Sequence, residues 1–251
     1  MTYEAIDWLL AAVFLIVAVL YSSVGHAGAS GYIAAMALFG LPAAIVKPSA
    51  LALNIVVGSI GLYRFTRAGL VPWRIVLPLV VASAPAAYFG ASLQVPPVVY
   101  QRVLAAVLVI AAVQLWRTAA LASSGEVEQP ERSLPWWLAL ALGAGIGFVA
   151  GLSGTGGAIF LTPLLIFGRY TATRVAAGAS VVFVLANSLT GLAAAVPAAG
   201  GWPPALSLWV GAVVIGALVG TQLGRGALPV GVLRRVLAIV LVIAAAKLAF
   251  L

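Results

Sequence analysis

Two short stretches of this chain set glycine beside hydroxyl side chains inside otherwise apolar sequence: Gly151-Leu152-Ser153-Gly154-Thr155-Gly156-Gly157 and, earlier, Gly25-His26-Ala27-Gly28-Ala29-Ser30-Gly31. Glycine costs about 1 kcal/mol per residue inside a helix, so such clusters argue for breaks rather than continuous spans. A break at membrane depth is tolerated only where protein or a water-filled cavity covers the freed backbone. Two breaks at corresponding places are the pattern of a carrier's midplane binding site. A short helix is expected after each break, starting near Ala29 and near Gly157, so that unpaired N–H groups and two positive dipole ends face one cavity. Such a site suits an anion. Glycine lets a ligand approach the backbone, and Ser30, Ser153 and Thr155 add hydroxyl donors without fixed charge.

Other polar residues have a functional and a structural reading. His26 is the only histidine. It either binds the anion or carries a coupled proton, or it caps a helix or bonds a carbonyl. Asn54 and Asn187 lie inside apolar spans at matching places, where interhelical hydrogen bonding competes with substrate contact. Lys47 precedes Pro48 at the start of a span, where its head either snorkels to the interface or turns toward an anion. The candidate substrate site is therefore Gly25, His26, Gly28, Ala29, Ser30, Ser153, Gly154, Thr155, Gly156, Gly157, Asn54, Asn187 and Lys47. Gly211, Gly216, Gly220 and Gly224, by contrast, read as close helix packing.

Composition sets the elements that must position these groups. Of 251 residues 64% are hydrophobic and 7% charged, with mean hydropathy +1.20. A soluble domain carries about a quarter charged residues, so the class is an all-α polytopic membrane protein. Cysteine is absent, which excludes disulfides and thiolate metal sites. The net charge of +8 does not point to nucleic acid, because the basic residues sit at span ends. Glu4 and Asp7 precede the first apolar run, so a cleaved signal peptide is not expected. No nucleotide motif, cofactor motif or metal cluster is visible.

The apolar runs fall near 8–24, 32–41, 48–63, 75–93 and 98–116, then 136–150, 158–168, 174–196, 205–223 and 230–251. Proline stands before or at the start of several of them. The stretch Arg102-Val-Leu-Ala-Ala-Val-Leu-Val-Ile-Ala-Ala112 matches Arg235-Val-Leu-Ala-Ile-Val-Leu-Val-Ile-Ala-Ala245 at all but one position. Asn54 and Gly58 likewise face Asn187 and Gly191. The chain is thus one membrane domain made by duplication, with repeat one at 8–118, a polar linker at 119–134 and repeat two at 135–251.

Charge then decides between topologies. If every run crossed the bilayer, the basic residues would divide evenly between the two faces. A run such as 158–168 is only about half a bilayer long, so each glycine-tipped pair reads as a re-entrant hairpin. Each repeat then has a hairpin plus three spans, and the two repeats are inverted. One face collects Arg64, Arg67, Arg74, Arg117, Arg132, Arg169, Arg174, Arg225, Arg234 and Arg235, and the other keeps Lys47, Arg102 and Lys247. That asymmetry fits a cytoplasmic face, with both termini periplasmic. Simple hydropathy counting gives seven or eight helices.

With these repeats and tips laid out, the sequence resembles the sulfite exporter TauE/SafE family of permeases. The resemblance rests on the stretch 25–31, on Lys47-Pro48-Ser49-Ala50-Leu51-Ala52-Leu53-Asn54 and Phe65-Thr66-Arg67-Ala68-Gly69, and in the second half on 151–157, Ser180 and Asn187-Ser188. It implies transport of sulfur-containing anions such as sulfite or sulfoacetate across the bacterial inner membrane. With no nucleotide motif in the chain, the alternatives for energy are a coupled proton or other ion and passive transport. The first tip is less glycine-rich than the second, so the binding residues need not be symmetric.

Rival readings are an anion channel, an uptake permease for thiosulfate or a carboxylate, and an assembly factor without cargo. Gly28-Ala29-Ser30-Gly31 also spells the nucleophile motif of rhomboid proteases, but that chemistry needs a histidine on another helix. Every acidic residue lies at the N-terminus or in the linker, at Glu4, Asp7, Glu126, Glu128 and Glu131. A proton-coupled mechanism would therefore use His26 or the substrate's own proton.

Overall fold

The computed structural model describes residues 4–23, 26–121, 132–195, 202–223 and 230–250. Within them the chain is all helix: α1 (Ala5–Ser23), α2 (Ala29–Leu38), α3 (Ala43–Arg67), α4 (Trp73–Ser92) and α5 (Pro97–Leu121), then α6 (Trp136–Ser153), α7 (Ala158–Phe167), α8 (Thr173–Ala195), α9 (Leu206–Leu223) and α10 (Val230–Phe250). Six of these, α1, α3, α4, α5, α6 and α8, contain apolar stretches long enough to cross a membrane. Helices α2 and α7 have ten residues each, about 15 Å, which is half a hydrocarbon core.

Local sequence sets these boundaries. Pro42, Pro72 and Pro135 are the N-caps of α3, α4 and α6, where a missing N–H costs nothing. The expected span start at Lys47-Pro48 is too late. Helix α3 begins at Ala43 and carries Pro48 inside it, so Pro48 removes an internal hydrogen bond instead of opening the helix.

Small residues set the packing. Along α6 a Cβ on Gly143, Gly147 or Gly151 would collide with the backbone oxygens of Leu79, Ser83 and Ala87 on α4. Residue numbers rise together on the two helices, so they run parallel. The same rule joins α9 to α1, where Gly216 meets Leu15 and Gly220 meets Val19. Gly216 and Gly220 are thus packing glycines. Gly211 has open space where its Cβ would be, and Gly224 lies outside the described residues. Gly151, which in sequence belongs to the second tip, is a packing residue of α6.

The consequence is an exchange between halves. The long hairpin helix of each half, α1 or α6, packs on the fourth helix of the other, α9 or α4, while α5 packs on α10. At the centre α3 crosses α8, with Gly58 against Leu185, Gly61 against Val181 and Gly191 against Leu51. Here the numbers run in opposite senses, so α3 and α8 are antiparallel.

Hydrogen bonds close each hairpin at its open end. Arg132 N donates to Arg169 O over 3.2 Å, so the chain leaving α7 returns to the place where α6 began. Trp209 Nε1 donates to Asp7 O and Lys247 Nζ to Leu38 O, which brings the start of α9 to the start of α1 and the end of α10 to the end of α2. Arg67 stacks on Tyr63, Arg117 on Phe167 and Arg235 on Trp116. These lie at the end of the bundle where α3 and α5 finish and α8 and α10 begin. Lys47, by contrast, lies near the start of α3, at the opposite end. Arg225 lies outside the described residues.

Candidate functional site

Each half-helix starts from a glycine that no other residue replaces easily. Gly28, the N-cap of α2, has φ 102 and Gly157, the N-cap of α7, has φ 90. Both values lie in the left-handed region that an L side chain rarely adopts. The second tip holds two more such residues, Gly154 (φ 81), which ends α6, and Gly156 (φ 73). Space is also lacking: a Cβ on Gly156 would stand 2.7 Å from Asn54 Nδ2 and 3.0 Å from Ser188 Oγ.

The two tips meet. Tyr21, His26, Gly28, Ala29 and Ser30 from the first hairpin line one cavity with Thr155 and Ala158 from the second, and Asn54 of α3 completes its polar wall. Asn54 lies near the middle of α3, so the cavity sits at mid-depth of the bundle. The first residues of both α2 and α7 line it, and their N–H groups have no preceding helical carbonyl to bond. Two positive dipole ends therefore share one small space. The cavity is about 10 Å³, room for roughly one water, and no lysine or arginine lines it.

The first tip is braced by phenols of its own hairpin. Tyr21 Oη and Ser30 Oγ share a hydrogen bond of 2.7 Å, and Tyr32 Oη donates to Ala27 O at 3.0 Å. His26 is buried and donates its backbone N–H to Tyr21 O. The second tip is held by hydroxyl and amide contacts. Ser153 Oγ donates to Val149 O and shares a 2.9 Å bond with Thr155 Oγ1, so Ser153 positions Thr155 and is not part of the cavity lining. Asn187 Nδ2 donates to Gly156 O at 3.3 Å, and Tyr100 Oη of α5 donates to Ser153 O.

The remaining site candidates are placed as follows. Asn54 Nδ2 donates to Ser188 Oγ across the α3–α8 crossing. The side-chain oxygens of both Asn54 and Asn187 are buried without a hydrogen-bond partner. Lys47 packs its stem against Gly154 and donates its ammonium to Ala91 O at 2.9 Å, and it does not line the tip cavity. Gly25 lies outside the described residues. Sequence reasoning missed Tyr21, Tyr32, Tyr100 and the Ser188 hydroxyl. Thr162 and Ser180, whose hydroxyls share a 2.6 Å bond, pin α7 to α8 away from the cavity.

Ser30 thus has a phenol as an immediate partner. The family described as Sulfite exporter TauE/SafE matches residues 10–248. A relative from Sinorhizobium fredii, named probable membrane transporter protein y4hK, is 39% identical over 248 residues, covering 99% of each chain. No solved structure matches the chain. On its helical architecture and these matches, the chain belongs to the sulfite exporter TauE/SafE family of membrane transporters.

Proposed function

We propose that the protein moves small sulfur-containing anions, such as sulfite or an organosulfonate, across the bacterial inner membrane, holding the cargo between the two hairpin tips. One observation carries this reading: the N-termini of α2 and α7 and the hydroxyl-bearing residues Ser30 and Thr155 line a single cavity at mid-depth. Each helix end contributes roughly half a positive charge together with backbone donors. With no lysine or arginine in the lining, binding is reversible enough for release. The unpaired Asn54 oxygen is an acceptor, which suits the O–H of a hydrogen anion such as hydrogen sulfite. His26 is the candidate for a coupled proton.

The antiparallel crossing of α3 and α8 and the exchanged helix pairing support inverted halves that rock about the tips in alternating access. A cavity of about 10 Å³ is smaller than any sulfur oxyanion, so loading requires the halves to part. By the positive-inside rule the arginine-bearing end is the cytoplasmic one and the termini are periplasmic.

Counterflow in proteoliposomes tests the reading, with vesicles preloaded with sulfite, thiosulfate, sulfoacetate, taurine, sulfate or a carboxylate. Exchange confined to sulfur oxyanions and sulfonates is expected. Silence across the panel from folded protein would overturn it, and current without exchange would establish a channel.

A further inference from the structure

A second cavity lies between the first tip and the arginine-bearing end. It is lined by Ser22 of α1, His26 and Ala27 of the tip, Gly58 and Gly61 of α3 and Thr221 of α9. His26 and Ala27 line the tip cavity as well, so the two spaces are separated only by the first tip. Ser22 is 6% exposed, and its hydroxyl has no hydrogen-bond partner. A helix serine in apolar surroundings ordinarily bonds the carbonyl one turn back, as Ser23 does with Leu20 O. On the far side of the cavity the half-buried Arg64 guanidinium donates to Thr221 Oγ1.

The duplication shows that this polar set is not inherited architecture. The repeat offsets that align Gly28 with Gly157 and Asn54 with Asn187 pair Ser22 with Gly151, Arg64 with Pro197 and Thr221 with Tyr88. The counterpart positions therefore carry neither the serine nor the cation nor the small hydroxyl. The chemistry is on one side only.

We propose that this cavity is an antechamber for the transported anion on the arginine-bearing side, with Arg64, held by Thr221, drawing the anion in and the unpartnered Ser22 hydroxyl offering a donor before it passes His26 to the tips. The proposal rests on the anion-carrier reading for its cargo, and its test does not need transport. Glycine at positions 58 and 61 lets Leu185 and Val181 of α8 pack directly on α3, so the passage is narrow, with Val57, Phe65 and Val181 as its apolar wall. In the conformation described, the cavity is about 10 Å³, and it widens when the halves part.

Because the chain contains no cysteine, Ser22→Cys introduces a unique thiol. Its labelling is measured in sealed vesicles of each orientation with an anionic sulfonatoethyl and a cationic trimethylammonioethyl methanethiosulfonate, each rate divided by that reagent's rate with a free thiol. The antechamber predicts labelling from the arginine-bearing face alone, with the anionic reagent favoured about tenfold. It also predicts loss of that preference in the Ser22→Cys/Arg64→Gln double variant, and slowing by added sulfite. Equal labelling from both faces, a cationic preference, a preference unchanged by Arg64→Gln, or no labelling in protein that elutes as folded would each overturn it. If wild-type vesicles fail the counterflow panel while the labelling pattern holds, the carrier reading fails and the antechamber stands; the reverse result removes the antechamber alone.

Discussion

The two hairpin tips, one before α2 and one before α7, are held by different means. Among the described residues the first has one left-handed glycine, Gly28 at the start of α2, and is tied inside its own hairpin by Tyr21 and Tyr32. The second has three left-handed glycines, and its supports come from several helices: Asn187 of α8, Tyr100 of α5 and the Lys47 stem of α3. Symmetry would have Asn54 bond the backbone of the first tip as Asn187 bonds Gly156. Instead Tyr32 takes the Ala27 oxygen, and Asn54 reaches across to Ser188. The comparison teaches that the first tip is fixed within its own hairpin, whereas the second is fixed to helices of both halves.

The largest expected effect is at Gly156. Gly156→Ala places a methyl against Asn54 and Ser188 at φ +73, costing about 2–3 kcal/mol of stability and abolishing counterflow. In Gly28→Ala the methyl meets only the far end of the Tyr32 ring, so exchange should fall without vanishing. Equal losses would erase the distinction between the tips. Next is Thr155→Val, which removes a donor to the anion and should raise the half-saturation concentration at least about tenfold while the protein remains folded. Ser30→Ala should shift it by a similar factor, because each hydroxyl has one protein partner, Tyr21 for Ser30 and Ser153 for Thr155.

Smaller effects test the bracing. Tyr32→Phe leaves the buried Ala27 oxygen unpaired and should cost about 1–2 kcal/mol in detergent unfolding, with exchange largely kept. If it instead removes exchange and leaves stability unchanged, Tyr32 belongs to the binding site. The smallest change is expected for Tyr100→Phe, whose bond to Ser153 O is long at 3.3 Å. Its loss should be under about 1 kcal/mol and should appear mainly as a slower maximal exchange rate, since it ties the second tip to the other half.

Much of this arrangement was legible in the sequence. The two breaks, the start of a short helix at Ala29 and the paired Asn54 and Asn187 all follow from glycine's cost in a helix and from internal repetition. Other features were hidden for physical reasons. Tyr21 and Tyr32 look like ordinary apolar-span aromatics, and only folding brings their hydroxyls to Ser30 and Ala27. Gly151 stands beside the tip in sequence, but its neighbour is Ala87 on another helix. Lys47-Pro48 resembles a helix start because proline is favoured there, yet Pro42 caps α3 and the lysine lies one turn inside it. Pairing of α6 with α4 and of α9 with α1 leaves no local trace beyond glycines spaced by four.

That exchanged pairing also governs how the chain is made. The partner of α1 is α9, about 200 residues later in synthesis by the spacing of Val19 and Gly220, so the first hairpin reaches the membrane long before the surface it packs on exists. Until then the α1 face that receives Gly216 and Gly220 meets lipid, and neither half is a finished structural unit. The two halves are interlocked like clasped hands: neither hairpin is packed without a helix from the other half.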